Sequence, residues 1–252
     1  MNHYKTFLSL HHAPTPLLLG NSWDAGSAKL LAQNGFKAIA TSSAAVAQSY
    51  GYEDGEKMPF ELLLQTVKRI QQNIALPLSV DMEHGFSNTT EGIVENIQQL
   101  HQLGVVGINL EDSVQQKLEP AETFAKRMEI VANKLMQKNI PLFINARTDA
   151  FLLQQPDALQ TTLQRIQLYQ TTGVNGIFVP FIKQEQDIAA VTAATTLPVN
   201  ILPVPGLPNI EQLTVLGVKR ISLGSSLYNA FKRTTTNTIQ SIMEQQTFEA
   251  LF

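Results

Sequence analysis

Eight short apolar runs, most of them entered through proline or closed by glycine or charge, alternate with longer stretches whose apolar positions recur every three or four residues. Runs of the first kind suit strands covered on both faces, and stretches of the second kind suit amphipathic helices packed over them. Strands are predicted at 17–20, 38–41, 78–80, 105–112, 140–149, 173–181, 197–203 and 218–224. Helices are predicted at 25–34, 60–73, 89–103, 121–138, 156–172, 184–195, 210–216 and 226–252, with Asp24 placed to cap the first and Gly35 to stop it. This alternation predicts an α/β fold, a (β/α)8 TIM barrel made by residues 1–252 as one domain, with a doubly wound open sheet as the alternative. A barrel gathers the C-terminal ends of its strands on one rim, whereas an open sheet spreads them along an edge.

Charge sits where these runs stop. The third strand ends in Asp81 and Glu83, which a period of two turns to one side of the sheet, as two oxygen ligands of a hard cation require. The fourth ends in Glu111 and Asp112, and the fifth supplies Asn145, Arg147 and Asp149. An arginine there offers a planar fork to a carboxylate, whether a ligand's or a neighbouring acid's. Ser42, Ser43, Ala44 and Ala45 close the second strand with small residues that leave amides and hydroxyls open to an oxyanion. Asn200 is the polar candidate on the seventh strand, and Gly224-Ser225-Ser226 stands at a helix start where late barrel loops can bind phosphate. The longest connection, 47–59, carries Gly51, Gly55, Tyr50, Tyr52 and Asp54, a content that fits a lid over a small ligand.

Composition narrows the chemistry further. With 252 residues, 44% hydrophobic and 15% charged, the chain can bury a large core, and a net charge of −3 gives no reason to expect nucleic acid or an anionic membrane as partner. No apolar run approaches the ~18 residues of a membrane span, and the patch at 7–10 is too short for a signal peptide, so a cytoplasmic enzyme or binding protein is expected. The absence of cysteine excludes disulfides, thiolate metal sites and cysteine nucleophiles.

Taken together, the segments 21–27, 41–44, 80–85, 108–112 and 145–149 resemble motifs of the isocitrate lyase/phosphoenolpyruvate mutase superfamily, in order and across nearly the whole chain. The resemblance implies an enzyme dependent on Mg2+, with Mn2+ as a substitute, that binds an α-oxo carboxylate. It also implies a homodimer or homotetramer in which the C-terminal helix is exchanged. Asp81 falls on the principal metal ligand, while Glu83, in place of a more usual aspartate, and Glu111 fall on acids that hold the metal mainly through water. Arg147 falls on the arginine that holds the substrate carboxylate. Ser42, Ser43 and the amide of Ala44 fall on the segment that cradles substrate oxygens, a gapless match through Gly51 and Asp54 favouring Ser42. Asn200 resembles a polar group near the substrate in the lyase branch, and Asp54 is expected to reach the site when the lid closes.

Two departures shape the expected reaction. Lyases of the group carry a Lys-Arg-Cys-Gly-His segment after the fourth strand, where this chain has Lys117-Leu118-Glu119-Pro120. Lys117 can match the catalytic lysine of phosphonate mutases and hydrolases, but its polar partners are missing, and Pro180 stands where mutases carry a histidine. The expected function is C–C bond cleavage or decarboxylation of a small α-oxo or 2-hydroxy carboxylate through a metal-stabilised enolate. The alternatives are phosphoenolpyruvate mutase or phosphonopyruvate hydrolase chemistry, and a non-catalytic barrel that binds oxo acids. Tyr50, Tyr52, His84 and Lys117 are the candidate proton donors.

Overall fold

The computed structural model describes residues 2–252. Its strands are β1 (Leu17–Ser22), β2 (Ile39–Thr41), β3 (Leu78–Asp81), β4 (Gly107–Glu111), the hairpin pair β5 (Ser113–Val114) and β6 (Lys117–Leu118), β7 (Phe143–Arg147), β8 (Gly176–Val179), β9 (Val199–Ile201) and β10 (Arg220–Ser222). All but the hairpin form a closed parallel barrel in the order β1-β10-β9-β8-β7-β4-β3-β2. Closure decides against the open sheet, since β1 sets Leu17 opposite Arg220 of β10 and Gly20 opposite Ile39 of β2. The fold is the (β/α)8 TIM barrel. Strands are shorter than the apolar runs because entry residues such as Pro141 and Pro198 lack the N–H that a ladder uses.

The helices are α1 (His3–Leu10), α2 (Ala25–Gln33), α3 (Ser43–Ser49), α4 (Phe60–Gln71), α5 (Thr90–Gln102), α6 (Ala121–Gln137), α7 (Ala158–Tyr169), α8 (Glu185–Ala193), α9 (Ile210–Val215) and α10 (Ser226–Gln245). Asp24 and Ser27 form a reciprocal cap at the start of α2, as the sequence suggests. Helix α4 shows why these stretches cover the sheet: Leu63, Thr66, Val67 and Ile70, spaced by three and four, are its buried residues. The predicted final helix is cut short at Gln246, whose φ of 55° turns the chain out of α10.

Two helices are absent from the sequence reading. Helix α3 occupies what was read as a strand end and the start of a long loop. Helix α1 buries only Phe7, so no apolar stripe announces it. Its work is to plug the barrel: Phe7 meets Phe143 edge-on at 5.6 Å, and His11 stacks on Phe143 at 4.2 Å. Gly107 makes room, because a β-carbon there would stand 2.7 Å from the Phe7 ring. At the other end of the chain α10 has no buried residue, and Ile239 and Met243 are 55% and 67% exposed. Among the described residues no helix is long and apolar enough to cross a membrane.

Candidate active site

Four strand ends and the 50–59 loop build one cavity of about 560 Å3 at the C-terminal rim, where barrels of this type place their chemistry. Ser43, Asp54, Glu83, Glu111, Arg147 and Asp149 line its polar side, with Lys57, Gln115 and Gln116 around them and Leu152 and Leu153 as an apolar wall. Strand β3 stops at Asp81. Its Oδ2 accepts the Ser43 hydroxyl at 3.0 Å, and its Oδ1 accepts Asn109 Nδ2 at 3.4 Å.

The period-two argument for Asp81 and Glu83 does not hold beyond that point. Glu83 lies past the strand with φ at 49°, and a left-handed turn rather than a pleat brings it to the rim. There it is 6% exposed and accepts the N–H of Glu56 at 2.6 Å, while Glu56 in turn accepts the N–H of Phe86 at 2.7 Å. These two bonds latch the 50–59 loop across the cavity and set Asp54 3.5 Å from the Ser43 hydroxyl. Both glycines of the loop have left-handed backbone, Gly51 at φ 83° and Gly55 at φ 91°, which a β-carbon would strain.

Arg147 is wedged between two acids. Its Nε and Nη2 donate to Asp149 at 2.6 and 3.2 Å, and its Nη1 meets Glu111 at 2.9 Å. A guanidinium carries about five N–H donors, so roughly two remain for a ligand, one on each terminal nitrogen. Asp149 is itself fully buried and accepts the Ser113 hydroxyl at 2.5 Å, which fixes the fork in place. Burial opposes the Arg147 charge, but Glu111 and Asp149 override it, and the pKa is raised.

The acids repel one another as well as attract. Burial pushes the Glu83 carboxyl up to about 8, with Asp54 and Asp81 adding to the rise. Partial burial and then the Asp81 charge raise Asp54. Burial raises Glu111 well above the usual range against the pull of Arg147, with Asp149, Asp81 and Glu83 adding to it. A carboxyl raised by folding keeps a proton that the unfolded chain has released, so its contribution to stability falls as pH climbs from the ordinary value to the folded one. For Glu83 that window runs from 4.5 to about 8. The protein is therefore expected to melt lower near the top of this window than near its middle. Thermal scans across the window check this, and a melting temperature that stays level through it would mean that these acids ionise freely in the fold.

Not every predicted residue lines the cavity: Asp81 is half-buried and adjoins it through the Ser43 hydroxyl without lining it. Ser42 is turned away, its hydroxyl accepting the Ala45 N–H to cap α3, so Ser43 is the serine that faces the cavity. Ala44 lies in the first turn of α3 and does not line the cavity. Asn200 sits inside the barrel, 1% exposed, accepting the Ser222 hydroxyl at 3.1 Å. Lys117 is exposed in the hairpin opposite Val114, outside the lining. His84 lies against Arg127 and Glu119 beyond the rim, and Tyr50 accepts a hydrogen bond from Thr66. Trp23 packs on Tyr228 and Phe231 of α10. Asp149, named with Arg147 among the charges at the end of the fifth run, does line the cavity. Sequence reasoning missed Lys57, Ser113, Gln115 and Gln116, which lie on the 50–59 loop and the β5–β6 hairpin, whose turns carry no familiar signature.

Among the described residues, no three of His, Asp and Glu stand close enough together to enclose an ion. The phosphoenolpyruvate phosphomutase family model matches residues 7–243. An uncharacterized protein of Mycobacterium tuberculosis is 38% identical over 226 residues, 89% of this chain and 84% of that one. Oxaloacetate decarboxylase 2 of Pseudomonas fluorescens is 26% identical over 91% of this chain and 81% of its own. The crystal structure of a candidate phosphonomutase from Burkholderia cenocepacia superposes with a TM-score of 0.90 at 36% identity, covering 95% of this chain and 100% of that one. A phosphonopyruvate hydrolase crystallised with oxalate and Mg2+ shares the fold at 19% identity, with a TM-score of 0.86 over 99% of this chain and 89% of that one.

Proposed function

This chain belongs to the phosphoenolpyruvate phosphomutase family, within the isocitrate lyase/phosphoenolpyruvate mutase superfamily of enzymes, and on that footing we propose that it is a carbon–carbon lyase. The proposed reaction is cleavage or decarboxylation of a small α-oxo or 2-hydroxy carboxylate. The observation that carries this reading is Arg147, clamped by Glu111 and Asp149 with donors to spare, beside acids suited to a cation. Support comes from relatives: the decarboxylase is named for an oxo acid, and the phosphonopyruvate hydrolase holds oxalate together with Mg2+.

The donor set fits Mg2+ or Mn2+. Asp81, Glu83 and Glu111 offer only oxygens, and acids that do not close a cage suit an ion that keeps several of its waters. When bound, such an ion supplies Lewis-acid stabilisation of the negative charge that develops on the oxo oxygen. Asp81 would hold it directly, and Glu83 and Glu111 through water. Arg147 binds the substrate carboxylate and thereby orients the bond to be broken. Ser43 holds Asp81 by one hydrogen bond and lines the space where a substrate oxygen would lie. The loop carrying Asp54, latched through Glu56 onto Glu83, keeps water from the reacting carbon. Phosphorus transfer has less support here, because Lys117 lies outside the cavity and Pro180 has no side-chain donor. The uncovered apolar positions of α10 fit exchange of that helix with a second copy, in a homodimer or homotetramer, and the protein is proposed to work in the cytoplasm.

A panel of 2-oxo and 2-hydroxy acids, with phosphonopyruvate included, tests the reading. Each is incubated with Mg2+, with Mn2+ and with a chelator, and products are followed by mass spectrometry. Metal-dependent loss of CO2 or C–C cleavage from one oxo acid is expected, with oxalate as inhibitor. Phosphate release from phosphonopyruvate alone would move the assignment to phosphorus chemistry, and tight oxalate binding with no turnover of any member would make this a binding barrel.

A further inference from the structure

The barrel interior holds a cation that the proposed chemistry does not use. Arg220 on β10 is 1% exposed and heads the largest fully enclosed side chains. Its Nε donates to Ser222 Oγ at 3.0 Å and its Nη2 to Asn109 Oδ1 at 3.2 Å, and its guanidinium lies 6.0 Å from the centre of the Phe7 ring that plugs the barrel. Among the described residues no carboxylate pairs with it directly. Burying an unpaired guanidinium is costly, and an apolar side chain of similar volume is usually easier to bury. The one acid that supports its charge is Asp81, which it reaches only through another residue.

That residue is Asn109. Its Oδ1 accepts from both Arg220 and Asn145 Nδ2, the latter at 3.0 Å, and its Nδ2 donates to Asp81 Oδ1 at 3.4 Å. With two donors converging on the oxygen, the flipped amide is excluded, since it would press an NH2 against two other donors. The NH2 must therefore face Asp81. The other carboxylate oxygen of Asp81 is taken by Ser43. On the far side of the guanidinium, Ser222 donates to Asn200 Oδ1, so Asn200 belongs to this interior network.

We infer that Arg220 is a positioning residue for Asp81. By pinning the Asn109 oxygen it obliges the Asn109 amide to hold Asp81, and so sets which edge of that carboxylate is presented to a divalent cation. The inference rests on the reading of Asp81 as the metal ligand. Partners that orient a ligand in this way are typically worth about 10–100-fold in metal affinity.

The direction of one measurement separates positioning from charge. Removing a positive charge near the acids should, by Coulomb's law alone, make the site more attractive to a divalent cation. Loss of positioning should make it less so. Mn2+ titration of the full chain, followed by the EPR signal of free Mn2+, is expected to show affinity reduced about tenfold in Arg220→Met, while the melting temperature holds or rises. Arg220→Lys keeps the charge but loses the fork that reaches Asn109 and Ser222 together, and it should also weaken Mn2+. Asn109→Leu breaks the same link without altering a charge. Without the opposing gain that loss of the Arg220 charge brings, it should weaken Mn2+ at least as much as Arg220→Met, and the double variant should bind no worse than the weaker single, because both act along one path. Mn2+ affinity that is unchanged or tighter in these variants, alongside a loss in Asp81→Asn, would leave Asp81 as the ligand and overturn the role of Arg220. Undiminished Mn2+ binding in Asp81→Asn would overturn both readings.

Discussion

Replacing Asp81 by asparagine is expected to abolish metal-dependent turnover while leaving the barrel intact. The carboxylate ends β3 with one oxygen on Ser43 and the other on Asn109, so asparagine fits the same space but brings no charge. Charge stabilisation by a bound ion is worth several kcal/mol in the transition state, and its loss should cost roughly a thousandfold or more in rate. The metal-free variant should melt close to the parent, because it relieves Asp54, Glu83 and Glu111 of a neighbouring charge but removes the one acid that supports buried Arg220. Calorimetric titration with Mg2+ and turnover of the best substrate from the panel check the two halves. Unchanged Mg2+ affinity would remove Asp81 from the metal site.

Arg147→Lys is expected to weaken oxalate or oxo-acid binding by ~1.5–3 kcal/mol, the scale of a hydrogen bond to a charged group. Lysine keeps the charge but has no planar fork, so it cannot meet Asp149 with two nitrogens, meet Glu111 with a third contact and still offer a parallel pair to a ligand. The variant should also be less stable. Glu111 and Asp149 are largely buried and would be left with fewer partners, and breaking buried pairs commonly costs about 3–5 kcal/mol, of which the lysine charge recovers a part. Oxalate affinity by calorimetry, beside a thermal melt, separates the effects. Affinity within twofold of the parent, with stability lost, would make Arg147 an internal clamp between two acids and not a substrate ligand.

Residues at strand ends were legible because a barrel allows them only one destination. Asp81, Glu111 and Arg147 close apolar runs, and closure of the sheet brings those ends together whatever the details of the loops. Residues beyond the strand ends were not, since their placement depends on turns of one or two residues. Glu83 reached the rim through a left-handed turn, and Ser43 rather than Ser42 faces the cavity because Ser42 became the cap of a helix that small residues had concealed. The hairpin shows the same limit. Gln115 and Gln116, both left-handed at φ 49° and 60°, form its turn and line the cavity, whereas Lys117 falls on the strand after it. A pair of glutamines is not a signature for that turn, which usually advertises itself with asparagine or glycine.

The sequence by itself determined the alternation of strand and helix, the resemblance to the family and the acids and arginine at the strand ends, because hydrophobic period and the chemistry of strand ends are local properties that survive without coordinates, whereas closure into a barrel was decided by the pairing of β1 with β10. Only the tertiary structure decided which side of each strand faced inward. Asn200 and Arg220 lie four and five barrel strands after Asp81 in sequence order, yet both face the interior of the barrel, where Asn109 joins Arg220 to the rim. A run such as Lys219-Arg220-Ile221-Ser222 reads equally well with either parity. What fixed it was closure of the barrel over the Phe7 plug, which leaves one face of β10 lined by partners for a guanidinium and the other covered by helices.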